Sequence, residues 1–112
     1  MFQLRKETDY AIKFLKALSM HEHRPLSLHD VSLATKISFL FLQKIARKLR
    51  LAGLIASTHG QNGGYTLAMP AGRITLNKII VTMQGHCELL PKLKKVNQQI
   101  TRVLTKVKLK DL

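Results

Sequence analysis

Two serines that can cap helices, with a tight turn between the helices, constrain the fold of this chain more than any other feature. Ser27 precedes an apolar run in steps of three, and Asp30 stands where a carboxylate can complete a capping box. Residues 35–37 leave room only for a tight turn before Ser38, which can cap a second and longer helix. Two helices joined in this way predict a helix-turn-helix.

The second helix is predicted to run from residue 39 to about residue 52 and to have two chemically different faces. Gly53 follows at the position where a glycine commonly ends a helix. Helical spacing assigns the core-facing side to apolar residues, which are Phe41, Leu42, Ile45, Ala46 and Leu49. The helix is therefore expected to pack one face on the domain and to present the other face outward.

The outward face of this helix combines residues that can contact DNA. At helical spacing it carries Leu40, Gln43, Lys44 and Arg47. Gln43 can pair with an adenine edge and Leu40 with a thymine methyl, whereas the lysine and the arginine can bind guanine or phosphate. Lys48 adds a further cation that suits phosphate. The alternative is that these basic residues, together with Arg50, form only a solvated helix face.

A glycine-rich segment, residues 57–70, follows the second helix. Strand-like residues 54–56 precede its glycines, and residues 65–67 follow them. A phosphate-binding loop would place a lysine, a hydroxyl residue and then a helix directly after the glycines, but strand-forming residues come next here. The segment therefore predicts a two-stranded hairpin with Gly63-Gly64 in its turn.

Apolar residues at helical spacing predict a further helix over residues 5–20, before the helix-turn-helix. A helix, a helix-turn-helix and then a hairpin make up a winged helix, in which the hairpin is the wing. The wing residues that can contact a partner are His59, Gln61 and Asn62. His59 can donate to a phosphate or enter a minor groove, or it can be an ordinary surface residue. A plain surface turn remains the alternative for the hairpin as a whole.

The charge of the chain favours a polyanionic partner. The chain has 19 Lys and Arg against 6 Asp and Glu, and no acidic residue lies between Asp30 and Glu88. This distribution favours nucleic acid first and an anionic membrane surface second, while a generally basic surface is the alternative. No apolar run approaches the length of a membrane span. The single cysteine, Cys87, excludes an intramolecular disulfide and fits a reducing cytoplasm.

The remainder of the chain predicts two further helices. Thr75 can cap the first, whose inward residues are Leu76, Ile79, Ile80 and Met83, and Gly85 can end it. The second starts near Pro91 and carries an apolar seam with heptad-like spacing, which consists of Leu93, Val96, Ile100, Val103 and Val107. The seam can pack on its own domain or on a second chain, and we expect a dimer helix. We therefore divide the chain into a winged helix-turn-helix, residues 1–85, and a C-terminal dimerisation helix, residues 86–112.

The chain contains the segments "ETDYAIKFLKAL", "ISFLFLQKIARKLRLAGLI", "GQNGGYTLAMP" followed by "ITLNKII", and a closing "KVKLKDL". In this combination it resembles the Rrf-two (BadM) family of bacterial winged-helix transcription regulators. The resemblance implies a homodimer that binds pseudo-palindromic promoter DNA. The recognition helix would enter the major groove, the wing the adjacent minor groove, and a long C-terminal helix would cross its partner. The resemblance implies that the following positions face DNA: Ser38, Phe39, Leu40, Gln43 and Lys44.

The chain departs from the pattern of this family at the wing, in the recognition helix, in the turn and in the sensor loop. His59 stands where an arginine is usual, Gln43 where a glutamate is frequent, and Lys36 where a glycine is common. Family sensors ligate an iron–sulfur cluster with three cysteines between their fourth and fifth helices, but this chain has only Cys87 there. Because a cluster needs about four protein ligands, we expect no cofactor. Cys87 is then either a buried thiol or a single redox-reactive site.

The sequence has no enzyme signature, such as a nucleophile–base constellation or paired carboxylates at helical spacing. His21 and His23 share a loop and are weak metal candidates. We expect a mainly α fold with a small β-hairpin wing and a long C-terminal dimerisation helix. The expected function is a homodimeric, cytoplasmic, sequence-specific regulator of transcription, a repressor, that binds double-stranded DNA and no membrane. The alternatives are a non-specific nucleic-acid-binding or nucleoid-associated protein, and a protein–protein adaptor that uses a winged helix.

Overall fold

The computed structural model describes residues 4–85 and 94–112. Over these residues the chain forms five α-helices, a two-stranded antiparallel sheet and a short 3-10 turn. The elements are α1 (Lys6–Ser19), α2 (Leu28–Thr35), α3 (Phe39–Leu51), β1 (Ile55–Thr58), β2 (Gly64–Leu67), α4 (Leu76–Gln84), α5 (Lys94–Lys106) and the 3-10 turn Leu109–Asp111. This order confirms the predicted winged helix-turn-helix with a hairpin wing.

The helix-turn-helix is held by the side-chain caps that the sequence predicts. Ser27 Oγ accepts from the backbone N–H of Asp30 at 3.0 Å, and the Asp30 carboxylate accepts from the Ser27 N–H at 3.1 Å. Ser38 Oγ accepts from the Phe41 N–H at the start of α3. Lys36 ends α2 with φ of 62°, a left-handed conformation in which a glycine is less strained. The turn therefore keeps its geometry although a lysine stands there.

The core lies where α1, α3 and α4 meet beneath the wing. Its buried side chains include Phe14 of α1, Leu42 and Leu49 of α3, and Ile79 of α4. The predicted inward face of α3 is confirmed except at Phe41, which is 40% exposed. Its ring instead packs against the Tyr10 ring of α1 in a T-shaped arrangement, with the ring centroids 5.7 Å apart.

The wing pairs Ile55 with Leu67 and Thr58 with Gly64. Gly64 thus belongs to β2, and the turn is closed earlier, where the Gly63 N–H donates to the Gly60 carbonyl at 3.0 Å. This corrects the expectation that Gly63 and Gly64 together form the turn. Thr58 Oγ1 accepts from the Gly64 N–H at 3.2 Å and fixes the last pair of the hairpin.

A contact that the sequence did not predict anchors the wing to the helix-turn-helix. The N–H of Leu26 donates to the Tyr65 carbonyl at 3.0 Å, and the N–H of Tyr65 donates back to Leu26 at 2.7 Å. The Phe14 ring meets the Tyr65 ring at 6.0 Å in an edge-to-face arrangement. The base of the wing is therefore joined to the residue before the Ser27 cap and to α1.

The predicted fourth helix is confirmed, with Thr75 Oγ1 accepting from the Lys78 N–H at 3.0 Å. Of its predicted inward residues, Ile79, Ile80 and Met83 are buried, whereas Leu76 is half-buried. Gly85 ends α4 with φ of 87°. The side chain of Gln84 ties this helix to α1, because its Oε1 accepts from Thr8 Oγ1 at 2.6 Å.

The end of the chain differs from the predicted continuous helix. The helix α5 ends at Lys106, and the Val107 carbonyl accepts from the Leu76 N–H at 2.8 Å. The Leu109 N–H then donates to the Ile74 carbonyl at 2.7 Å, and the Leu109 side chain is buried in the core. Residues 107–112 therefore return to the winged-helix body, while Leu93 and Cys87 lie outside the described residues.

Candidate nucleic-acid interface

One stripe of α3 faces solvent over residues 40–47. Leu40, Gln43 and Arg47 are all exposed and follow one another at helical spacing. Ser38 is also exposed, but its hydroxyl accepts from the Phe41 N–H as the helix cap. The structure therefore brings three of the predicted DNA-contacting side chains together on the outer face of the second helix of the helix-turn-helix.

The first turn of α3 is unusually apolar for an exposed segment. Leu40 is 77% exposed, and its neighbours Phe39 and Phe41 are also exposed. Phe41 has a partner in Tyr10, whereas Phe39 and Leu40 point away from the core cluster. In the major groove of DNA the apolar group available to such side chains is the C5-methyl of thymine. This turn can therefore contribute base contacts that need no hydrogen bond.

Two further predicted contact residues lie on the flank of α3 that faces α1. Lys44 Nζ is 3.5 Å from Glu7 Oε1, and Lys48 Nζ is 3.4 Å from Glu7 Oε2. Desolvation raises the pKa of Glu7, but the charges and hydrogen bonds of the two lysines lower it further, so that the pKa lies below its usual range. Glu7 was not predicted as part of this surface, because its partners are distant in the chain and its position in α1 suggests only a favourable first turn.

The predicted contact residues of the wing are exposed at its tip. His59, Gln61 and Asn62 lie between β1 and β2, next to the turn closed by Gly60 and Gly63. The strand β1 packs against α3, and Ile55 is buried at its start. The wing is therefore attached directly to α3, the helix that carries the exposed stripe.

The charge of the helix-turn-helix and the wing is suited to binding a polyanion. Every charged residue from Val31 to Gly85 is a lysine or an arginine. Among the described ion pairs, one acidic side chain from outside this segment contacts it, because Glu7 of α1 pairs with Lys44 and Lys48. The helix α3 and the wing therefore present cations and amides of their own, while Asp30 lies in α2 and Glu7 lies beside α3.

The helix α5 has an apolar face that is partly exposed in the part of the chain that the structure describes. Val96 and Ile100 are half-buried, Val103 is 60% exposed, and these residues line a shallow groove with Gln99. Val107 lies just past the end of α5, in the segment that pairs with Leu76. The dimer interface predicted from the seam thus stays a prediction, and its helical part within residues 94–112 is Val96, Ile100 and Val103.

Metal-ligating residues do not cluster in the part of the chain that the structure describes. Neither residues 4–85 nor residues 94–112 contain a group of three or more His, Cys, Asp or Glu side chains that could hold a metal ion. His21 and His23 are exposed in the loop after α1. Among the same residues, none of the helices is long and apolar enough to cross a membrane.

The sequence places the chain in a known family. Residues 4–112 match the Rrf2 (Rrf-two) family of iron-dependent transcriptional regulators. The chain belongs to this family. It is 34% identical over 83 residues to the protein rrf2 of Nitratidesulfovibrio vulgaris, covering 73% of this chain and 55% of that protein. It is 33% identical over 82 residues to the HTH-type transcriptional regulator IscR of Vibrio cholerae, covering 72% of this chain and 47% of that protein.

Solved structures of Rrf2 regulators have the same fold as this chain. CymR of B. subtilis, a global cysteine regulator, superposes with a TM-score of 0.85 and 25% identity, over 99% of this chain and 95% of CymR. IscR of T. potens superposes with a TM-score of 0.82 and 27% identity, over 97% and 84% of the two chains. In sequence the chain spans about half the length of the relatives that it matches. The family is one of transcriptional regulators and not of enzymes, as the sequence indicated.

Proposed function

We propose that this Rrf2-family protein is a sequence-specific DNA-binding regulator that represses transcription as a homodimer. The observation that carries the proposal is the exposed stripe of Leu40, Gln43 and Arg47 on the second helix of a helix-turn-helix. A recognition helix needs an outward face of this kind to reach base edges in the major groove. The basic residues around it suit the phosphate backbone, although Glu7 pairs with two of them.

The wing supplies the second part of the DNA contact. His59, Gln61 and Asn62 stand at the tip of a hairpin whose base is hydrogen-bonded to Leu26. Because the hairpin is anchored at its base, binding DNA does not require a flexible loop to become ordered, and this lowers the entropic cost of the contact. The tip residues contact phosphate or the minor groove, where amides and imidazoles find acceptors.

A second copy of the chain covers the apolar face of α5. Val103 is exposed beside Ile100 and Val96, and the face has the spacing of a two-helix seam. Dimerisation would place two recognition helices at the two half-sites of a palindrome. The winged helix-turn-helix, residues 1–85, would then bind DNA, and the helix in residues 86–112 would join the two copies.

The regulator works without an iron–sulfur cluster of its own. The chain has one cysteine, Cys87, which lies outside the described residues, whereas a cluster needs about four ligands. The donor set of this chain therefore does not fit a cluster, although the family is described as iron-dependent. Protein purified without oxygen should show no cluster absorbance, and a Cys87→Ser variant should bind DNA as the unchanged protein does. Cluster absorbance that disappears in this variant would refute the assignment.

The function is tested by selecting bound sequences from a randomised duplex library and measuring their affinities. The unchanged protein should enrich one palindromic motif, and its affinity should fall steeply with salt. The Gln43→Ala variant should lose preference at one base position per half-site, by about 1–3 kcal/mol. Gln98→Ala removes the same kind of side chain from an exposed position on α5 and is the matched control. Enrichment of no motif would favour a non-specific nucleic-acid-binding protein, and absence of binding at low salt would favour an adaptor.

A further inference from the structure

The pairing of Glu7 with two lysines of α3 differs from the ion pair of Asp9 with Lys13 in the same part of α1. Each carboxylate oxygen of Glu7 faces a different ammonium, Lys44 at 3.5 Å and Lys48 at 3.4 Å. By contrast, Asp9 pairs with Lys13 one turn away on its own helix, at 3.2 Å. Both acids lie in the first turn of α1, but only Glu7 reaches the proposed recognition helix.

The two lysines are placed where they could instead meet DNA phosphates. They lie one turn apart on α3, on the flank beside the exposed stripe of Gln43 and Arg47. Their side chains remain about half exposed, so a phosphate can approach them. A phosphate and the Glu7 carboxylate are therefore competitors for the same two ammonium groups.

The carboxylate of Glu7 stays ionised under conditions in which DNA binds. Desolvation raises the pKa of Glu7, and the two lysines lower it to below its usual range. An exposed pair of this kind is weak enough to be exchanged when a stronger anion arrives. The competition thus reduces phosphate binding without preventing it.

We propose that Glu7 is a specificity-determining residue, which holds Lys44 and Lys48 back from DNA phosphates and so weakens sequence-independent binding. This inference rests on the proposed function. Phosphate contacts add affinity for every sequence alike, whereas base contacts discriminate between sequences. If two lysines contribute less to phosphate binding, the base contacts of Leu40, Gln43 and Arg47 account for a larger share of the binding free energy. Among the described ion pairs, Glu7 pairs with none of these three residues.

The test compares two substitutions that remove one negative charge each from the same turn of α1. Glu7→Gln releases the α3 lysines, whereas Asp9→Asn leaves α3 untouched. Binding to a fluorescent duplex of mixed, unselected sequence is measured by anisotropy over a series of salt concentrations. Each recovered phosphate contact adds about 0.9 to the slope of log affinity against log salt, so that it raises affinity about threefold for each fourfold reduction in salt. We expect Glu7→Gln to bind up to about tenfold more tightly per chain, and Asp9→Asn to change affinity less than twofold.

Repeating the Glu7→Gln substitution in a variant that lacks the two lysines distinguishes charge competition from a structural effect of the substitution. If Lys44→Met and Lys48→Met are introduced together, Glu7→Gln should no longer change the affinity or the salt slope. A Glu7→Gln variant that binds no more tightly than Asp9→Asn, or one whose effect persists without the two lysines, overturns the inference alone. Failure of the unchanged protein to bind the duplex at low salt would overturn the proposed function as well.

Discussion

Leu26 and Gly64 lie so close that a Cβ atom on Gly64 would be 2.5 Å from both the carbonyl carbon and the carbonyl oxygen of Leu26. Gly64 also has φ of 155°, at which a side chain is strained. Leu26 directly precedes Ser27, the cap of α2, and it is hydrogen-bonded to Tyr65 in both directions. The wing and the helix-turn-helix are therefore joined by a backbone contact that only glycine permits.

Gly64→Ala should separate the wing from the helix-turn-helix. Because the clash is with backbone and not with a flexible side chain, the variant should lose about 2–3 kcal/mol of unfolding free energy. Gly72→Ala is the control, since the nearest atom to its Cβ is Cδ of the Lys110 side chain at 3.4 Å. Denaturant unfolding curves measure both variants. Equal stability of the two would show that the Leu26 contact relaxes without cost.

The predictions from sequence succeeded where the interactions are local. The caps Ser27, Ser38 and Thr75 bind N–H groups three residues ahead, so that residue type and spacing alone revealed them. Helical spacing likewise identified the buried side of α3, apart from Phe41 in its first turn. Periodicity indicates which side of a helix is apolar, but it does not indicate which residues on that side the neighbouring elements cover.

The contacts that sequence did not reveal join residues far apart in the chain. Leu26 pairs with Tyr65, and Leu109 pairs with Ile74, through backbone groups that every residue possesses. Glu7 meets Lys44 and Lys48 only because α1 passes beside α3. Each of these contacts depends on the packed fold, so composition and spacing carry no signal for it.

Asp30 should make stability depend on pH in the acidic range. Its hydrogen bonds with the Ser27 backbone and side chain lower the pKa of the Asp30 carboxyl below its usual range. Because the folded pKa lies below the unfolded value of about 3.9, this stabilisation is complete above that value and is lost as pH falls through the folded pKa. Asp30→Asn should therefore be less stable than the unchanged protein at neutral pH, and the difference should shrink in acid.

Thermal unfolding from neutral pH to about pH 2 measures this effect of Asp30. The pKa of Glu7 is lowered too, so Glu7 also makes stability fall in acid. Its contribution is the same in the unchanged protein and in Asp30→Asn, and it therefore cancels when the two are compared. Ser27→Ala, which removes the other half of the capping box, should cost about 1 kcal/mol. A stability difference that is the same at every pH would contradict the assigned role of the Asp30 carboxylate.

Leu40 should recognise thymine through its methyl group. Replacing a contacted thymine by deoxyuridine removes only the C5-methyl and should lower the affinity of the unchanged protein about fourfold. Leu40→Ala should bind the two duplexes equally. Leu51→Ala is the matched control, because Leu51 is 73% exposed at the opposite end of α3 and should leave the preference for thymine unchanged. Gel-shift titrations with paired duplexes decide between these outcomes.

Ile100→Asp should convert the proposed dimer into monomers. Ile100 lies between Val96 and Val103 on the apolar face of α5, where the described part of a single chain leaves Val103 60% exposed. Covering each such side chain with a second chain gains about 1.5–3 kcal/mol when burial is complete. A carboxylate at the centre of the face would have to be desolvated without a partner, which opposes association.

The monomers of Ile100→Asp should keep their helical circular dichroism but bind a palindromic site far more weakly, because each half-site is then bound alone. Gln98→Asp adds the same charge at an exposed position on the other side of α5 and should remain dimeric. Sedimentation gives the mass of each variant, and gel-shift titration gives its affinity. If the unchanged protein sediments as a monomer at micromolar concentration, α5 is not a dimerisation helix. The apolar face would then need another partner, and the palindromic arrangement of the two recognition helices would have to be abandoned.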